Sequence, residues 1–136
     1  MNTAHWTTSR LLSTAARLND HTTNMRLVNL GITQSGATTL KALADSGPIS
    51  QTRLADLVHV QAQTMGKVLE KLEVKGLVSK LRNVRDGRSN RTCITAEGKK
   101  LLTRIDRASM SSEASACLSS DALRNELIRI ITRLRP

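Results

Sequence analysis

Met65, Val68, Leu69 and Leu72 stand at i, i+3, i+4 and i+7, the spacing of one buried stripe along an α-helix. The residues after this stripe narrow the choice of fold further. Gly76 sits where a left-handed residue would end that helix, and Leu77-Val78 begin a strand that carries on through Leu81. Arg85-Asp86-Gly87-Arg88-Ser89-Asn90 then supplies turn chemistry, and Arg91 to Thr95 returns as a second strand. A helix that must bury one face and leads straight into a hairpin with a basic tip points to a mainly α fold carrying one small β element.

The flanking segments repeat the helical signal. Leu11, Leu12, Ala15, Ala16 and Leu18 predict an N-terminal helix over roughly residues 5–20, interrupted by Thr22, Thr23 and Asn24. Thr33 is placed to cap a second helix with Ala37, Leu40, Leu43 and Ala44 on one face, stopped by Gly47-Pro48. Ser50 caps a short third helix whose inner face is Leu54, Ala55, Leu57 and Val58, and the Met65 helix comes after His59-Val60. Beyond the hairpin, Thr95 caps a fifth helix through Leu101, Leu102, Ile105, Ala108 and Met110 that runs into a serine-rich stretch at 109–120. A last helix from about Asp121 carries Leu123, Leu127, Ile130, Ile131 and Leu134 on one side.

Charge names the class of partner. Lys and Arg number 21 against 11 Asp and Glu, a formal net charge of +10, so an anionic surface is the expected target. The density is greatest from Lys75 to Arg91, where six basic side chains stand against Asp86 alone. Trp6 is the sole aromatic residue, so nothing here can stack bases as an RNA-recognition sheet or a single-strand groove does. Double-stranded DNA, read through its grooves and phosphates, fits.

A short helix, a tight turn, a second helix facing outward with Gln, Thr and Lys, and a basic hairpin together make a winged helix-turn-helix. Only an element about as wide as a helix fits the major groove, and its N-terminal side chains reach base edges first. That assigns base contact to Gln61, Gln63, Thr64 and Lys67, with Lys71 on the same outward face. Arg85, Arg88 and Arg91 make the wing basic, and Arg88 at its tip is the candidate for the narrow minor groove over A/T-rich steps. Asp86 is read as fixing the wing's shape by bonding a neighbouring arginine.

In these residues the chain resembles the MarR family of bacterial transcriptional regulators, from about Gly31 to Leu102. The resemblance is carried by Leu54-Ala55-Asp56-Leu57, by Thr64-Met65 with Leu72-Glu73-Val74-Lys75-Gly76-Leu77-Val78, by Asp86-Gly87-Arg88, and by Ile94-Thr95-Ala96-Glu97-Gly98. It implies a homodimer paired through terminal helices over 1–30 and 100–136, with 31–98 as the DNA-binding lobe. It further implies Arg88 as the wing arginine, 61–67 as the recognition face, and repression from a near-palindromic site. Broad apolar stripes on the terminal helices argue for pairing on physical grounds as well. A small-molecule effector is also implied, with Trp6, Arg10 and His21 as neighbours of its pocket, although packing of Trp6 at the dimer interface is the simpler reading. Gly66 departs from the family, whose members commonly carry Thr or Ser there, and a glycine inside a helix costs about 1 kcal/mol relative to alanine.

Other chemistries find less support. Cys93, on the return strand beside Arg91, is the candidate for a redox-sensing regulator, while Cys117 is expected to be a buried, inert thiol. His5, His21 and His59 are scattered and no Cys-x-x-Cys occurs, so neither a metal site nor a cofactor is expected. No nucleophile elbow, phosphate loop or spaced carboxylate pair argues for an enzyme. Two cysteines and the lack of a basic-then-apolar leader point to a reducing cytoplasm, without membrane association. A sequence-tolerant architectural DNA-binding protein, or a winged domain serving as a protein adaptor, are the competing classes.

Overall fold

The computed structural model describes residues 2–82, 90–110 and 116–136. Among them run α1 (Thr8–Asn29), α2 (Gln34–Ser46), β1 (Ile49–Ser50), α3 (Gln51–Leu57), α4 (Ala62–Val74), β2 (Val78–Arg82), β3 (Asn90–Ile94), α5 (Ala96–Met110) and α6 (Asp121–Leu134). They divide into two units: Asn24–Ile105, and the described residues of Met1–Thr23 with Asp106–Pro136.

The Asn24–Ile105 unit is built around an aliphatic core. Leu40 and Leu43 of α2, Leu54 of α3, and Met65 and Leu69 of α4 are at most 1% exposed, each contributing roughly 1.5–3 kcal/mol over an exposed side chain. Leu77, Val78, Leu101 and Leu102 extend the same core to β2 and α5. Thr39, buried among them, donates its hydroxyl to the Ser35 carbonyl at 2.8 Å and so carries no unmet polar group into the core.

Three junctions in this unit share one device. After α1, α3 and α4 the N–H groups of Ile32, Val60 and Leu77 reach back to the carbonyls of Leu27, Ala55 and Leu72, while Gly31, His59 and Gly76 occupy left-handed backbone. Gly76 at φ 74° does so at no steric cost, as the sequence predicts; His59 at φ 58° adopts it without that freedom.

β1, β3 and β2 form a three-stranded antiparallel sheet in that order. Ile49 pairs with Thr92, and Val78 to Arg82 pair with Ile94 to Asn90. Thr92 points into the core and Cys93 alternates to the other side, half-buried. Gly98, at the start of α5, lies against the Leu77 carbonyl and Ile94 so closely that a Cβ would collide with both.

Several expectations need correction. The N-terminal helix does not break at Thr22-Thr23-Asn24 but continues to Asn29, with the Thr22 hydroxyl donating back to the Leu18 carbonyl at 2.9 Å, an arrangement a helix interior accommodates. Ala44 and Leu57 lie exposed rather than inward. β1 was absent from the sequence reading, since two residues form a strand only through a partner about forty positions away. Cys117 is exposed in the chain, not buried.

In the other unit, α1 over Thr8–Thr23 exposes Leu11, Leu12 and Leu18, and α6 exposes Leu123, Ile128, Ile131 and Leu134. α6 has no buried residue. Among the described residues no helix is long and apolar enough to cross a membrane.

Candidate nucleic-acid interface

α3, the turn Val58–Gln61 and α4 form a helix-turn-helix, and β2 and β3 form the stem of the hairpin after it. The buried stripe of Met65, Leu69 and Leu72 fixes the roll of α4, which decides what faces outward. Gln61, Gln63, Thr64, Lys67 and Lys71 are all exposed on this segment. These five expected contact residues are thus gathered on one element. Lys67, Lys71 and Lys75 also line a groove of about 240 Å³ beside Thr33 and Ser35 at the start of α2, which gives that side of α4 a positive rim.

The start of α4 differs from every other helix start among the described residues. Thr7, Thr33, Ser50, Thr95 and Ser120 accept first-turn N–H groups of α1, α2, α3, α5 and α6 at 3.1–3.3 Å. Gln61 occupies the same position before α4 yet makes no side-chain cap bond. The first-turn amides of this helix therefore keep their partial positive charge, where they favour an anion.

Not all of the basic stretch is free for a ligand. Lys75 donates to the Gly31 carbonyl and ties the end of α4 to the α1–α2 junction, and Lys80 lies 3.7 Å from Glu73. Lys67 and Lys71 form no ion pair with described residues. Arg91 is exposed on β3, opposite Leu81. Arg85, Asp86 and Arg88 lie outside the described residues.

The remaining candidates are dispersed. Cys93 Sγ lies 3.1 Å from Ser79 Oγ across the β2–β3 pair. The Arg10 guanidinium stacks over Trp6, its carbon 3.8 Å from the ring centroid. His21 is eleven residues beyond Arg10 on α1, about 16 Å along the axis. No group of three His, Cys, Asp or Glu among the described residues could hold a metal ion.

Residues 32–89 match the sequence model of the MarR family. The chain is 34% identical over 85 residues to HTH-type transcriptional repressor Rv2887 of Mycobacterium tuberculosis, covering 62% of this chain and 61% of that one. It is 31% identical over 105 residues to a putative transcriptional regulatory protein for the hcr operon of Thauera aromatica, covering 76% and 63%.

The chain is similar to the MarR family across its central residues 32–89.

It spans about three fifths of the length of these curated relatives. Its fold is that of MarR from E. coli, solved as a mutant complexed with operator DNA: TM-score 0.81 at 20% identity, over 94% of this chain and 93% of the other. The MarR match begins at Ile32, just before α2, and takes in both helices of the helix-turn-helix.

One residue of this region escaped the sequence reading. Gln51, the first residue of α3, donates its Nε2 to the Ala62 carbonyl in the first turn of α4 at 3.0 Å. The interior glycine, Gly66, was the available signal, for its missing Cβ is what leaves room for that amide.

Proposed function

We propose that this protein is a transcriptional repressor that binds duplex DNA as a two-fold homodimer, inserting α4 into the major groove of each half of a near-palindromic operator. The observation that carries the reading is α4 itself, a helix buried on one side, exposing Gln61, Gln63, Thr64, Lys67 and Lys71 on the other, with its first turn uncapped by any side chain. Gln can bond adenine through two atoms, and Lys can reach guanine acceptors or a phosphate. Arg88 enters the minor groove from the wing, Asp86 shapes the wing, and Arg85 and Arg91 contact phosphates. The exposed apolar residues of α1 and α6 supply the surface through which two copies pair, which sets the two recognition helices about 34 Å apart. Its place of action is the cytoplasm. Relatives named as transcriptional repressors, and the MarR structure holding operator DNA, support the same reading.

Selection from a randomised duplex library by the purified protein at near-physiological salt tests the proposal. Enrichment of an inverted repeat with half-sites about 10 base pairs apart is expected. Binding without enrichment would instead favour a sequence-tolerant architectural protein, and no binding to duplex DNA would favour the adaptor class.

A further inference from the structure

We infer that Gln51 is a positioning residue for base selection, and that Gln51 and Gly66 act as one coupled pair. This role rests on the DNA-binding reading above. The other described helices begin on a hydroxyl that covers a first-turn N–H, whereas the first turn of α4 is held from its carbonyl side, by the 3.0 Å bond from Gln51 Nε2 to Ala62. A tie of that kind fixes where Gln61 and Gln63 stand without occupying the amides that face the ligand. It also links the two helices of the helix-turn-helix directly, because Gln51 opens α3 and Ala62 opens α4.

Gly66 makes the tie sterically open. A Cβ at this position would stand 3.0 Å from Gln51 Nε2 and 3.8 Å from its Cδ, with no other side chain or backbone group nearby, so a methyl group here presses on this amide in particular and makes it give by a few tenths of an ångström. The helix accepts the propensity cost of an interior glycine, and the Gln51 bond is what occupies the space. Gly66→Ala therefore strains, and Gln51→Ala removes, the same interaction. Gln51→Glu keeps the side chain's size and removes the N–H donor, which separates the bond from simple packing.

The experiment measures affinity for a selected site and for a scrambled duplex of equal length, using the full chain carrying Gln51→Ala, Gln51→Glu, Gly66→Ala or both alanine changes, each checked for folding by its melting curve. A purely structural role would lower both affinities together. Loss of one positioning hydrogen bond predicts that each single change lowers the ratio of selected to scrambled affinity about three- to tenfold, and that the double alanine variant falls no further than either single. Unchanged ratios, or losses that multiply in the double variant, would overturn the pairing. A parent protein that shows no preference for any duplex would overturn the proposed function and this role with it, an outcome distinguishable because it appears before any substitution is made.

Discussion

His59 and Gly98 show how far single residues set the geometry of the helix-turn-helix. His59 holds left-handed backbone between α3 and α4, a conformation costing an L-residue roughly 1–2 kcal/mol, part of which a glycine returns as greater freedom when unfolded. His59→Gly is expected to raise stability by up to about 1 kcal/mol, and His59→Val to lower it by at least about 1 kcal/mol, both read from urea unfolding midpoints. Equal midpoints for the two variants would show that this turn is not strained. At Gly98 the Leu77 carbonyl and Ile94 leave no space for a methyl group, so Gly98→Ala should destabilise by about 1–3 kcal/mol in the same assay. Such backbone contacts are not legible in a sequence, where Gly98 stands out as the end of the Ile94–Gly98 motif but its neighbours in space do not. The caps Thr33, Ser50 and Thr95 were legible, because each acts on an amide three residues away.

At the scale of elements, α4 was readable nearly in full: its stripe, its end at Gly76 and its polar face all come from spacing within thirteen residues and one glycine. The sheet was readable as a hairpin and incomplete as a sheet. Nothing local to Ile49-Ser50 distinguishes it from a loop, and its pairing with Thr92 and Arg91 decides the matter. The tie from Gln51 was missed for the same reason, since it joins two helices through a side chain whose partner is a backbone carbonyl. Lys71, which has no ion-pair partner among the described residues, is expected to contribute to DNA affinity through a phosphate. Lys71→Ala should weaken binding to all duplexes alike and lower the slope of log affinity against log salt by about 1. An unchanged slope would remove Lys71 from the interface. Lys75, already bonded to the Gly31 carbonyl, should show its loss mainly in stability.

For the whole molecule, the apolar surface is unevenly shared between the two units. The Asn24–Ile105 unit keeps its large aliphatic residues mostly inside, while α6 buries none. A stripe of Leu123, Ile131 and Leu134 left in water is unfavourable, and the proposed pairing with a second copy would remove it at each of two symmetric faces. Sedimentation equilibrium should therefore give a mass of about twice 14.9 kDa, and Ile131→Glu should shift the equilibrium towards monomer and weaken operator binding in parallel. A monomer at micromolar concentration in the parent would contradict the dimer. This pairing was inferred from amphipathic spacing together with family resemblance; a single chain displays the exposed stripe and not its cover.

The central claim is that the outward face of α4 reads bases. The most direct measurement compares the duplex sequences retained by the parent with those retained by Gln63→Ala and Lys67→Ala, under one salt condition and from one randomised library. Each variant is expected still to select an inverted repeat but to lose preference at particular base pairs in both half-sites, at positions that differ between the two variants. Profiles identical to the parent's in both variants would contradict the claim, and would move base recognition away from this face of α4.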